Sequence, residues 1–137
     1  MKLALLADYA NVTRDGKLNL MGVFNIINAQ VLPWVHPQMQ LVLQFEVGPA
    51  DWETEKGIEV KIVDADGNPV SAIQGNVKVA RLQGDKPLQI NSIMSINNLK
   101  FSKDGDYFFV IRLDGQIERE IPLRVNYAPA PPTATKS

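Results

Sequence analysis

Apolar and polar residues alternate with period two along most of this chain. The clearest case is residues 40–47. Leu41, Leu43, Phe45 and Val47 point one way, and Gln40, Gln44 and Glu46 point the other. Alternation of this kind predicts a strand with one row against a core and one row in water. Ile58, Val60 and Ile62 alternate with Glu59 and Lys61 in the same way. Further strands are predicted over Leu3–Tyr9, Lys17–Ile27, Val70–Val79, Leu88–Leu99, Tyr107–Leu113 and Ile117–Val125. Leu18, Leu20, Gly22 and Phe24 share one face of the second, and Gly22 marks a bulge or a close backbone approach. In Leu88–Leu99, Ile90, Met94 and Ile96 share a face while Ile93 and Leu99 fall on the other parity, which predicts a bend or a bulge. No segment carries the i, i+3, i+4, i+7 spacing of an amphipathic helix.

The connections carry turn chemistry. Asn11, Asp15 and Gly16 follow the first strand, and Asp64–Asn68 reads DADGN. Asp114-Gly115 sits between two alternating runs, which predicts a tight primed hairpin turn. Pro122 cannot donate to a ladder, so its strand is an edge or pairs on one side only there. Asp104-Gly105-Asp106-Tyr107 precedes an alternating strand and resembles a tyrosine corner. About eight short strands with frequent turns predict an all-β fold. The expected architecture is a two-sheet antiparallel sandwich, immunoglobulin-like, with a closed barrel as the structural competitor. Residues 1–127 form one domain in this reading. Residues 128–137 are a Pro-rich tail, APAPPTATKS from Ala128, expected to be disordered.

Composition narrows the chemistry. The 137 residues are 45% hydrophobic, enough for one core without covalent staples. There is no cysteine, which excludes disulfides, thiolate catalysis and cysteine zinc sites and points to a reducing cytoplasm. Fourteen basic and fifteen acidic residues give a net charge of -1, so there is no basic excess for a nucleic-acid partner. The apolar run Leu3–Ala7 stops at Asp8, too short for a secretion signal of roughly 7–15 apolar residues. No stretch approaches the roughly 20 apolar residues that cross a bilayer.

Candidate sites are few. His36 is the one histidine, and no serine lies in a Gly-x-Ser-x-Gly elbow, so a hydrolytic triad is not expected. Phosphate-cradling glycine motifs are absent, and no cofactor is expected. If loops alternate between the two ends of the sandwich, Asn28–Pro37, Asp64–Asn68 and Ser102–Asp106 share one end. Asp64, Asp66, Asp104 and Asp106 would then form an alternative calcium or small-ligand site, set against the plain reading that turns demand these residues. The other end would gather Asn11–Gly16, Gly48–Gly57, Ala80–Pro87 and Asp114-Gly115. There Trp52, among charges, is either an interface anchor or a lid over the core. Val42, Val63 and Phe108 give their strands a second apolar face. Such a face is covered by a loop or is an interface for self-association or a partner.

The segment LLADYANVTRDGKLNLMGVFNII, Leu5 to Ile27, resembles the start of a family of small uncharacterised bacterial proteins. Asp8-Tyr9-Ala10, Gly16-Lys17-Leu18-Asn19, Gly22 and Phe24 carry the likeness, with His36-Pro37 and Gly105-Asp106-Tyr107 in support. The resemblance implies a standalone bacterial domain of unknown function and assigns no activity or site residue. The function expected is a non-enzymatic protein-interaction or structural module in the cytoplasm.

Overall fold

The alternating row Leu41, Leu43 and Phe45 has to face another apolar row, and it does. A computed structural model describes residues 1–79 and 88–129. It contains nine strands: β1 (Leu3–Val12), β2 (Leu18–Phe24), β3 (Ile26–Ala29), β4 (Trp34–Val47), β5 (Glu55–Asp64), β6 (Pro69–Lys78), β7 (Leu88–Phe101), β8 (Gly105–Leu113) and β9 (Gln116–Tyr127). One sheet has the order β2-β1-β4-β7 and the other β3-β9-β8-β5-β6. Leu6, Leu41, Leu43 and Phe45 of the first sheet pack against Val60, Ile62, Phe109, Ile111 and Leu123 of the second. The sandwich is immunoglobulin-like, with β4 and β7 paired in one layer and β5, β8 and β9 in the other. Residues 80–87 and 130–137, the latter most of the tail expected over 128–137, lie outside the described residues.

Two details depart from the expected fold. The strand expected over Lys17–Ile27 is two strands in different sheets: β2 ends at Phe24, Asn25 bends, and β3 begins at Ile26. The sandwich is also not purely antiparallel. β3 runs parallel to β9, pairing Ile26 with Arg124 through Ala29 with Tyr127. The pairing stops at Arg124, so β9 has no strand neighbour on that side at Pro122, as its missing N–H requires.

The turns follow their chemistry. Asp114 and Gly115 both have positive φ, 50° and 84°, as a type I′ hairpin turn needs. The Tyr107 hydroxyl donates to the Lys103 carbonyl at 2.6 Å, completing the tyrosine corner. Its ring meets Phe101 edge-on at 4.9 Å. Burial pushes the phenol above its ordinary pKa, so it stays a donor.

Bends rather than bulges account for the parity breaks. The β4–β7 register is unbroken from Trp34↔Phe101 to Val47↔Leu88, yet Ile96 and Leu99 both join the core. Asn98 between them has φ 56° and turns the strand. Ile93 lies beside Val42 on the outer face. A second bend lies at Gly22, φ 69°, opposite Asp8. Beyond it the β1–β2 hairpin folds back over the outer face of its own sheet. Asn91, on that face, donates its side-chain amide to the Gly16 carbonyl at 3.5 Å. The cover explains why Ala7, Gln40 and Val42, which point away from the core, are 0%, 5% and 0% exposed.

Gly22 therefore does what no other residue can. A Cβ there would stand 2.3 Å from the Asp8 carboxylate oxygen, on a backbone that side chains rarely adopt. Gly22→Ala should destabilise by about 1–3 kcal/mol. Adding Asp8→Ala should recover the clash but not the backbone strain. Denaturant unfolding of both variants is the measurement, and a neutral Gly22→Ala would remove the hairpin hinge.

Candidate functional site

Of the loops expected to share an end, Asp64–Asn68 meets Ser102–Asp106 through Lys103, and Gly48–Gly57 meets Asp114-Gly115 through Lys56, while Trp34–Pro37, expected in a loop, belongs to β4. At one end, the Asp64 carboxylate accepts from the N–H groups of Asp66 at 3.0 Å and Asn68 at 2.9 Å. These bonds hold its pKa below the ordinary carboxylate value. The Lys103 ammonium lies 3.9 Å from both Asp64 and Asp66, and Arg124 donates to Asp106 at 3.0 Å. Asp64, Asp66 and Asp106 at this end serve a turn and cations. Among the described residues, no group of three or more acids or histidines stands close enough to hold a metal ion. Asp64, Asp66, Asp104 and Asp106 are thus not drawn into one ligand set: an Asx turn and Lys103 engage Asp64, Lys103 engages Asp66 and Arg124 engages Asp106.

At the other end Lys56 is the hub. Its ammonium reaches Asp51 at 2.6 Å and Asp114 at 3.2 Å. The Lys56 hydrogen bond lowers the Asp51 pKa and the Gly57 N–H lowers that of Asp114, while both acids raise that of Lys56. The 3-10 turn Pro49–Asp51 brings Trp52 over the sandwich, where it packs half-buried on the core. Its buried indole N–H meets no acceptor among the described residues, so ring packing, not a hydrogen bond, sets its place. Trp52 stands where the lid alternative places it, half-buried against the core. The expected loop Ala80–Pro87 lies outside the described residues.

His36 sits where the β1–β2 bend meets β4. Its Nδ1 accepts from the Trp34 indole N–H at 3.3 Å, and its ring lies 5.9 Å from Phe24. Burial lowers its pKa below the ordinary 6.5, and the charge of Asp8 opposes that shift. Among the described residues no nucleophile is hydrogen-bonded to it, and its ring neighbours are Trp34 and Phe24.

The apolar candidates separate cleanly. Val42 is covered by the hairpin and cannot be an interface residue as it stands. Val63 and Phe108 are neighbours on the outer face of the five-stranded sheet, each half-buried. Register extends their row to Pro69 on one side and Pro122 on the other. Pro122 also lines a groove of about 350 Å³ between the sheets, with Leu5, Val23, Phe24 and Ile121. Ile26 beside it is 50% exposed and Val23 57%. Pattern reading did not find this groove. It exists because the chain changes sheets at Asn25, leaving β9 unpaired beyond Arg124. Among the described residues, no helix is long and apolar enough to cross a membrane.

Comparison with known proteins adds one firm fact. The model of a family of unknown function, DUF6941, matches residues 2–126. The chain belongs to that family. No curated protein matches. Among solved structures, a glycosyl hydrolase family 2 member from Bacteroides cellulosilyticus DSM 14838 is 14% identical with a TM-score of 0.36. The match covers 69% of this chain and 14% of that one. A β-glucuronidase from glycoside hydrolase family 2 is 16% identical with a TM-score of 0.38, covering 69% of this chain and 11% of that one. This DUF6941 chain thus spans a small fraction of either enzyme.

Two titrations test the electrostatics of this DUF6941 domain. Asp51 and Asp114 have folded pKa values below their ordinary 3.8, so their stabilisation is present above 3.8 and is lost as pH falls through the lower folded values. Lys56→Met should flatten the acid limb of the melting temperature against pH; an unchanged limb would deny Lys56 its role as hub. His36, the one histidine, should titrate below 6.5 by NMR, its contribution to stability present above 6.5 and lost below. Asp8→Asn should lower that midpoint further, and a rise would contradict the placement of Asp8.

Proposed function

We propose that this domain is a non-enzymatic protein-interaction module of the bacterial cytoplasm. It holds a partner protein on the outer face of the five-stranded sheet. The observation that carries this reading is the apolar row Pro69–Val63–Phe108–Pro122, continuous through Pro122 with the groove beside β9. Lys61 and Glu120 flank the row on one side and Asp106 and Arg124 on the other. An apolar centre with a charged rim is the anatomy of a recognition patch. The proline at 122 leaves the strand without a donor there, which favours side-chain docking over ladder extension at that point. The engagement of His36 with Trp34, and of the acids with turns and cations, supports a role in binding rather than in chemistry. The cysteine-free composition supports a reducing compartment.

The immobilised domain should retain a protein from its host lysate, and Phe108→Ser and Val63→Ser should lose it while keeping a cooperative melt. Val42→Ala should retain the partner yet melt at a lower temperature, because Val42 is buried structure. Capture indifferent to Phe108→Ser would sink the assignment of this face.

A further inference from the structure

Each sheet has two edges: β2 and β7 in one, β3 and β6 in the other. Edge strands expose unpaired N–H and C=O groups, and proteins guard them with shortness, charge, proline or irregularity. Three edges are guarded. β2 has seven residues and contains the left-handed Gly22. β3 has four residues. β6 opens on Pro69, is interrupted by Gly75 and closes on Lys78.

Among the described residues, nothing guards the fourth edge. β7 runs fourteen residues, LQINSIMSINNLKF. From Leu88 to Leu99 it carries no charge, no proline and no glycine. Its register with β4 is unbroken, and its first irregularity is Asn98. Beside its second half lies an open groove of about 340 Å³, lined by Val70 and Ile73 of β6 and Ile96 and Leu99 of β7. The charged residues lie instead on interior strands such as β5, with Glu55, Lys56, Glu59, Lys61 and Asp64.

We propose that β7 pairs antiparallel with β7 of a second copy of this chain, about a two-fold axis at Ile93. The inference rests on reading the domain as an interaction module, but it uses a different surface from the partner row. In this register Ile93 faces Ile93 of the second copy. Ile90 faces Ile96 and Ser92 faces Met94 on the core side; Asn91 faces Ser95 on the outer side. Side chains of one parity meet their own parity: isoleucine meets isoleucine at two levels, Asn91 meets Ser95, and Ser92 against Met94 is the one mixed pair. A charged edge paired with itself in this way would bring like charges close; this one brings none. The pairing ends at Gln89 and Asn97, just before the bend at Asn98. The product is one continuous sheet of eight strands with two five-stranded sheets behind it.

The chain has no cysteine, so single-cysteine variants report the axis directly. Directly opposed residues of an antiparallel pair lie about 4.5–5.5 Å apart at Cα, within disulfide reach. Ile93→Cys should oxidise to a covalent dimer, while Gln89→Cys, Ser95→Cys and the exposed Met21→Cys should not. Light scattering of the native chain should give twice the mass of one chain. Ile93→Lys and Ile93→Glu should each give a monomer with a cooperative melt, and an equal mixture of the two should restore the dimer. Restoration separates lost pairing from lost folding. A native mass of one chain at every concentration, or cross-linking of Ile93→Cys no faster than of Met21→Cys, overturns the proposal. If the native chain is a monomer that still captures a host protein through Phe108, only the β7 pairing fails. If it is a dimer whose capture ignores Phe108→Ser, only the partner row fails.

Discussion

Packing of β4 against β5 and β8 is the constraint on which the rest depends. Leu41, Leu43 and Phe45 are almost fully buried, as are Val60, Ile62, Phe109 and Ile111. A one-residue slip of β4 would turn that row outward and bring Gln40, Gln44 and Glu46 to the core, where unpaired polar groups are costly. With the register of β4 set, its neighbours β1 and β7 are set in turn. Once β5 and β8 face it, the turns at Asp64–Asn68 and Asp114-Gly115 must lie at opposite ends of the sandwich.

The fold was legible wherever one residue's need is local. Asp114-Gly115 requires positive φ, Tyr107 needs an acceptor a few residues upstream, and the β4 alternation stands on its own. What was not legible depends on where a strand goes after it leaves its neighbour. Lys17–Ile27 has strand-forming residues throughout, and nothing in its alternation says that Asn25 carries the chain to the other sheet. The groove beside Pro122 is a consequence of that crossing. Val42 shows the same limit. A period-two pattern says that Val42 points away from Leu41, but not that the β1–β2 hairpin bends at Gly22 and covers it. Trp52 was open between lid and anchor because a loop sequence does not state which way its ring turns.

Charge at the two ends is structural. Asp64 closes its own turn before it meets Lys103, and Asp51 and Asp114 converge on Lys56 from two different loops. An acidic loop residue whose oxygens already accept backbone N–H groups has little capacity left for a cation. Asp51, Asp64 and Asp114 thus shape the ends of the sandwich. The chemistry of the molecule shifts from its ends to its sides.

On the sides, the distribution of charge is the reverse of what solitary sheets use. A sheet that must remain single places lysine, proline or a bulge on its edges and tolerates neutral residues in its middle. Here β5, flanked by β8 and β6, carries Glu59 and Lys61 on its outward row, while β7 is neutral for twelve consecutive residues. Interior charge keeps the outer face wet except at the one row where Val63, Phe108 and two prolines meet. Edge neutrality leaves a row of backbone groups at β7 that continues up to the bend at Asn98. The two features differ in kind. The row offers side chains without a free ladder, because Pro122 removes a donor; the edge offers a ladder with little side-chain demand, because asparagine and serine pair with almost anything. A surface of the first kind selects its partner by shape, and one of the second selects by register, which a second copy of the same strand satisfies at no cost in charge.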